Sequence, residues 1–227
     1  MRQQPAPAPR GFRKLLGEQR WKALLRAGSP RTYRPGAFLL RQGDPGGFLL
    51  ALTSGRVKVL ASEPDGGEVL LTLRGAGDLV GEMAARTETH RTATVQALER
   101  CTAHHVTKAD FDRFLDQHDA RDELSDYLIL KLSETVPYQL QQAHFSPAQR
   151  IARLFLQVVT LADPDQPDRM RVPFSQEAIA NALGYARSTV AQQIAEMRAS
   201  GVLGPGPRIV VADLAGLAEQ AGVVTFQ

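Results

Sequence analysis

The chain has 227 residues, 27 Lys plus Arg against 24 Asp plus Glu for a formal net charge of +3, 43% hydrophobic residues and one cysteine. That length suits one large or two small domains, and 22% charged with 43% hydrophobic residues supports a buried core, which excludes global disorder. The apolar runs fall far short of the roughly 18 residues that cross a bilayer, the first residues lack an apolar signal core, and a lone Cys101 excludes an internal disulfide, a cysteine-based zinc module and an iron–sulfur cluster of its own. The expectation is a cytoplasmic protein with no membrane partner.

Charge is unevenly placed. Residues 1–31 carry eight basic residues against Glu18 alone, whereas residues 147–227 carry seven of each sign. Net charge therefore does not mark the C-terminal part as a nucleic-acid binder, and pattern has to.

In chain order, Phe12, Leu15, Leu16, Trp21, Leu24 and Leu25 recur at helical spacing and predict an amphipathic helix ended by Gly28. Ten of the 19 glycines then lie between Gly36 and Gly81. They separate short runs rich in Leu, Val and Thr at 38–40, 48–60, 68–73, 78–80 and 92–97, followed by 101–106. Short strands with glycine turns predict an antiparallel sandwich or barrel.

From 119 to 143 glycine disappears, and Leu124, Leu128, Leu132, Val136 and Leu140 fall on one stripe. This predicts a long helix that packs on its symmetry mate in a homodimer or covers the β domain. Pro137 removes a helical hydrogen bond, so a kink or break is expected there. Ser146-Pro147 reads as an N-cap followed by proline at the first helical position, opening a helix through Leu161. The domains expected are 1–118, 119–145 as dimerisation helix and hinge, and 146–227.

Residues 175–183 predict a short helix capped by Ser175, residues 184–186 a tight turn, and residues 187–200 a second helix with Val190, Ile194 and Met197 on one face. A helix-turn-helix needs a small residue where its helices cross, a glycine four residues on for the turn, and an apolar residue six after that. Ala180, Gly184 and Val190 meet this spacing. Residues 202–203 and 209–211 predict a β-hairpin wing, and 213–222 an extra short helix. With the second helix in a major groove, Arg187, Ser188 and Gln192 meet base edges, while Ser175 and Thr189 are placed for phosphates. The alternative is a helical hairpin without a nucleic-acid role.

Residues 81–95 join two strand-like runs. A cyclic nucleotide presents a ribose hydroxyl and a ring phosphate, so its site needs a carboxylate acceptor at one end and an arginine with hydroxyl or amide donors at the other. Glu82 and Arg91, followed by Thr92, supply both; taken alone they serve equally as a structural ion pair.

Gly36…Gly43-Asp44, residues 54–59, residues 77–82 and residues 91–95 together resemble the β-roll of the cyclic-AMP receptor protein/fumarate–nitrate regulator family, and the order of elements over about residues 10–212 is similar. The resemblance implies an α+β multidomain fold: an N-terminal double-stranded β-helix of jelly-roll type, a long dimerisation helix and a C-terminal winged helix-turn-helix. It implies a homodimeric bacterial transcription regulator, not an enzyme, with cyclic AMP as effector, palindromic double-stranded DNA as partner, and no metal, iron–sulfur cluster or haem. It places Gly81 and Glu82 at the ribose, Met83 in the same nucleotide site, Arg91 and Thr92 at the phosphate, Thr135 at the adenine amino group and a basic Lys131 one turn before it. In activators of the family the loop at 162–170 touches RNA polymerase; a plain connector is the other reading. The chain departs from the family pattern at Arg86, Thr92, Val136, Pro137, Ser188, Gln192 and Gln193. Three other readings remain: a ligand-independent regulator of the same family with Glu82 paired to Arg91, one that responds to another small effector, and a metal-dependent β-barrel enzyme, for which the five histidines are badly placed.

Overall fold

The computed structural model describes residues 9–62, 67–87, 89–163 and 166–223, without the side chains of 86–87 and 135–144. Glycine punctuation sets the N-terminal half. Gly55, at φ +77°, turns the chain between β3 (Phe48–Ser54) and β4 (Val57–Ser62), and a Cβ there would meet the Arg100 carbonyl oxygen at 2.5 Å. The single run expected over 48–60 is therefore two strands.

Two four-stranded antiparallel sheets form. One is ordered β1 (Ser29–Tyr33), β8 (Cys101–Thr107), β3, β6 (Leu79–Val80); the other is β2 (Phe38–Leu40), β7 (Thr94–Ala97), β4, β5 (Glu68–Arg74). Their facing side chains, among them Leu50, Leu52, Val57, Val80, Val95 and Ala103, make one buried cluster. Strand β1 was not legible in the sequence, because Ser29-Pro30-Arg31-Thr32 is exposed and lacks apolar alternation. As an edge strand it tolerates Pro30.

A second cluster joins the sandwich to three helices: α1 (Gly11–Arg26), kinked at Gly17, α3 (Lys108–Gln117) and α4 (Arg121–His144). Helix α3, capped by the Thr107 side chain, had no counterpart in the sequence reading. Helix α4 runs on to His144, so the break expected at Pro137 is absent. Its leucine stripe is not one buried line. Leu124 and Tyr127 are buried against the sandwich, whereas Ile129, Leu130 and Leu132 are 60%, 52% and 67% exposed. The expected positions Val136, Leu140 and Pro137 have side chains outside the described residues.

Helix α5 (Pro147–Thr160) opens on a capping box in which Ser146 and Gln149 satisfy each other's backbone amides. It packs with α6 (Gln176–Leu183), α7 (Arg187–Ala199) and α8 (Leu214–Gln220) in a third cluster, which also takes in Leu60, Leu70 and Leu73 from β4 and β5. The expected wing hairpin is reduced to single bridges, Leu203 to Val211 and Arg171 to Val210. Gly204, Pro205, Gly206 and Pro207 between the two segments offer few amides for a longer ladder.

Polar clamps tie the C-terminal helices to the sandwich. Arg56, 1% exposed, holds both carboxylate oxygens of Glu99 at 2.7 Å and donates to the carbonyls of Val158 and Arg171. Arg10 donates to the carbonyls of Thr160 and Leu161. Two arginines from the N-terminal half thus occupy carbonyls at the C-terminal end of α5, where cations are favoured.

Candidate effector cavity and recognition helix

Strand β6 ends at Val80, and Gly81, at φ +83°, leads into α2 (Glu82–Thr87). A side chain at Gly81 would meet Arg91 Nη1 at 2.6 Å and Leu40 Cδ1 at 2.8 Å, so only glycine lets the arginine lie against the backbone. The Arg91 guanidinium donates to the carbonyls of Gly81 and Phe48, both at 2.8 Å, and lies over the Phe48 ring at 4.4 Å. Its backbone is held by exchange with the loop at Gly43 and Asp44. Arg91 is 4% exposed, and burial lowers its pKa despite the nearby Asp44 and Glu82.

Glu82 is 1% exposed and does not pair with Arg91. Lys131 of α4 holds it at 2.7 Å and also donates to the Leu79 carbonyl at 3.0 Å. That corrects the structural ion pair on which the ligand-independent reading rested: arginine and carboxylate belong to one site but have different partners. One turn before Lys131, the Tyr127 hydroxyl donates to Asp78 Oδ1 at 3.1 Å and accepts from the Leu79 amide at 3.0 Å, fixing α4 against β6.

These groups open on a cavity of about 900 Å³. Gly81, Glu82, Met83, Arg91, Thr92 and Lys131 all line it, so six of the sequence-derived effector positions converge there. Met83 is 54% exposed, and Thr92 is exposed. The seventh position, Thr135, has its side chain outside the described residues, as do Arg86 and Val136. The sequence reading missed the remaining walls: Arg74 from β5, Glu134 from α4, and Phe145, Arg150 and Arg153 at and beyond the start of α5. No local motif marks them, because they join the site only through packing of distant elements.

In the C-terminal domain, Ser175 caps α6 by accepting from the Ala178 amide at 3.0 Å, and Gly184 closes it at φ +69°. Ala180 and Val190 are buried at the crossing of α6 and α7. Arg187, Ser188 and Gln192 are exposed on α7, Thr189 is partly buried, and the Gln192 side chain donates to Glu196 at 2.9 Å.

The site motif and the helix-turn-helix frame both have counterparts. Residues 30–118 match the cyclic nucleotide-binding domain and residues 149–220 the Crp-like helix-turn-helix domain. The chain belongs to the cyclic-AMP receptor protein/fumarate–nitrate regulator family. It is a DNA-binding transcription regulator with a cyclic nucleotide-binding domain, and not an enzyme. A CRP-like cAMP-activated global transcriptional regulator of Mycobacterium tuberculosis is 27% identical over 206 residues, covering 88% of this regulator and 91% of the relative. The cAMP-activated global transcriptional regulator CRP of Salmonella typhimurium is 26% identical over 155 residues, 67% of this chain and 74% of the other. Among solved structures, a CRP-family transcriptional regulator from Thermus thermophilus superposes with a TM-score of 0.70 at 25% identity, covering 85% of this regulator and 96% of that chain. The c-di-GMP responsive global regulator CLP of Xanthomonas campestris shares the fold, with a TM-score of 0.68 at 22% identity over 86% of this chain and 99% of that one.

No helix is long and apolar enough to cross a membrane, and no group of three or more metal-ligating side chains forms, both among the described residues. His104 Nδ1 donates to the Leu25 carbonyl and His105 stacks on Phe48, so each histidine of that pair has a separate structural environment.

Proposed function

We propose that this regulator is a homodimer whose DNA affinity is set by cyclic AMP bound in the cavity between α2, Arg91 and α4. One observation carries the reading: Arg91 is a buried cation whose partners are carbonyl oxygens, facing the same cavity as the buried Glu82 carboxylate. A buried cation without a counter-charge is costly, and a cyclic phosphate beside Arg91 and Thr92 supplies that charge. Glu82 accepts from the ribose hydroxyl, with Gly81 and Met83 alongside. Lys131, now on Glu82, shares or yields the carboxylate when the ribose arrives. Thr135, farther along α4, takes the adenine amino group, which selects the base.

The dimer contact in this reading is the exposed face of α4, with Ile129, Leu130 and Leu132 covered by a second copy. Residues 1–118 are the sensing unit, 119–145 the dimerisation helix and hinge, and 146–227 the DNA-binding unit. Ligand shifts α4 and brings two α7 helices into register with successive major-groove half-sites of a palindromic operator. Arg187 and Gln192 read bases; Ser175 and Thr189 meet phosphates. The regulator works in the cytoplasm, and the 162–170 loop is its RNA polymerase contact. Asp163 and Gln166 of that loop are tied to Gly55 and Glu99, so its described part is docked on the sandwich.

Calorimetric titration of nucleotide-stripped protein with cyclic AMP, with cyclic GMP as control, tests the proposal. Micromolar binding at one per subunit, selective for adenine and accompanied by tighter operator binding, is expected. No heat with either nucleotide from a protein that still binds DNA overturns it.

A further inference from the structure

Arg74, on β5, lines the effector cavity with a side chain only 9% exposed. Its Nη1 donates to the Leu73 carbonyl at 3.2 Å and to Glu134 Oε2 at 2.8 Å. Its Nε, by contrast, is buried without a hydrogen-bond partner among the described residues. A buried N–H that lacks an acceptor costs more than an ordinary hydrogen bond contributes, so this atom calls for an acceptor that the chain itself does not supply.

The charge of Arg74 is already matched. Glu134 touches it, and the Tyr127 hydroxyl holds Asp78, a second carboxylate whose charge acts on it. Burial lowers the Arg74 pKa, but Asp78, Glu134 and Tyr127 outweigh burial and hold the group above its ordinary value. What Arg74 lacks is therefore one neutral acceptor and not a counter-ion. Arg91 is the opposite case, a cation held by carbonyl oxygens.

The bonds around the cavity give these two arginines an order. Arg91 is tied to the Gly81 carbonyl, next to Glu82 in the chain, and Lys131 ties Glu82 to α4 at 2.7 Å. Glu134, three residues or about 4.5 Å farther along that helix, holds Arg74 and adjoins Thr135 in sequence. Contacts thus run from Arg91 through Glu82 and Lys131 to Glu134 and Arg74. With phosphate at Arg91 and ribose at Glu82, the base falls at the Arg74 end.

We propose that Arg74 is a base-reading residue: its Nε–H donates to a ring nitrogen of adenine, while Glu134, by holding Nη1, positions the guanidinium for that contact. This rests on the reading of the cavity as a cyclic AMP site and adds to it a residue that determines specificity. A site built to hydrogen-bond its ligand rejects an analogue without the matching group, because the buried donor is then left unpaired.

The test is calorimetric titration of the full-length, nucleotide-stripped protein with cyclic AMP and its 1-deaza, 3-deaza and 7-deaza analogues, each with one ring nitrogen replaced by C–H. Wild type, Arg74→Lys and Arg74→Met are compared. In wild type one analogue is expected to bind at least tenfold more weakly than cyclic AMP, the size of a hydrogen bond from a charged donor. In Arg74→Met cyclic AMP itself should weaken by a similar factor, and the gap to that analogue should close. Arg74→Lys keeps the charge beside Asp78 and Glu134 but has no Nε–H, so it protects the fold and should narrow the gap. The analogue series in wild type needs no variant to fold. Equal binding of all three analogues and cyclic AMP overturns the role of Arg74 and leaves the cyclic AMP reading intact, as does a gap that persists unchanged in both variants. Absence of binding by cyclic AMP and every analogue, in wild type that still binds DNA, overturns the cyclic AMP reading and this role with it.

Discussion

Lys131 Nζ lies 2.7 Å from Glu82 Oε1, joining helices whose contacting residues are 49 positions apart. With Glu82 1% exposed and Lys131 only 18% exposed, the pair bolts α4 to the start of α2 at the effector cavity. Truncating one partner strands a buried charge, a loss of about 3 kcal/mol. Lys131→Met should therefore lower the urea midpoint of the free protein, and saturating cyclic AMP should recover part of the loss by giving Glu82 a new donor. An unchanged midpoint would show that the pair carries no weight.

Gly81→Ala separates site geometry from fold. A methyl at φ +83° and 2.6 Å from Arg91 Nη1 forces the guanidinium off the Gly81 carbonyl. Nucleotide affinity should fall at least tenfold, while the far-ultraviolet circular dichroism of the sandwich is retained. Arg91→Ala should lose more, of the order of 100-fold, since charge-assisted hydrogen bonds contribute about 1.5–3 kcal/mol each.

The Arg56–Glu99 pair predicts a pH dependence. Burial alone would raise the Glu99 pKa, but hydrogen bonds from Arg56 and Gln166 outweigh it and hold the group below its ordinary value. A carboxylate depressed in the folded state contributes stability above its unfolded pKa, and that contribution disappears as pH falls through the folded value. The melting temperature should drop on acidification below the ordinary glutamate range, and drop less in Glu99→Gln. Arg56→Ala at neutral pH should cost about 3–5 kcal/mol, because Glu99 and the carbonyls of Val158 and Arg171 lose their donor.

Cys101 is buried, and burial together with Glu99 pushes its thiol up to about 12. The thiolate is the reactive form. Native protein should react negligibly with a disulfide reagent at pH 8, and only on unfolding at the ordinary rate. Fast reaction of the folded protein would show that Cys101 is accessible in the native state.

On α7, Arg187 is exposed. Arg187→Ala should leave the melting temperature unchanged and weaken specific operator binding by about 1–3 kcal/mol, with little effect on random DNA. Fluorescence anisotropy with both DNAs distinguishes base reading from phosphate contact.

What was legible in the sequence came from local sterics. Gly184 in a left-handed turn, Ala180 at a helix crossing and Val190 six residues on obey constraints that act within a few residues, so the helix-turn-helix was readable from spacing. The glycine-punctuated strands were readable for the same reason, and β1 was not, because an exposed edge strand needs no apolar pattern. Glu82 and Arg91 were identified as members of one site by the chemistry they could supply. Which partners they take was decided by tertiary structure: Lys131 reaches Glu82 from α4, and Arg91 turns to the carbonyls of Gly81 and Phe48. Likewise Arg153 enters the cavity wall, and Arg56 reaches a carbonyl 115 residues away, because the C-terminal helices share one buried cluster with Leu60, Leu70 and Leu73 of β4 and β5. Spacing determines which residues share a face; only the packing of remote elements determines which charge neutralises which.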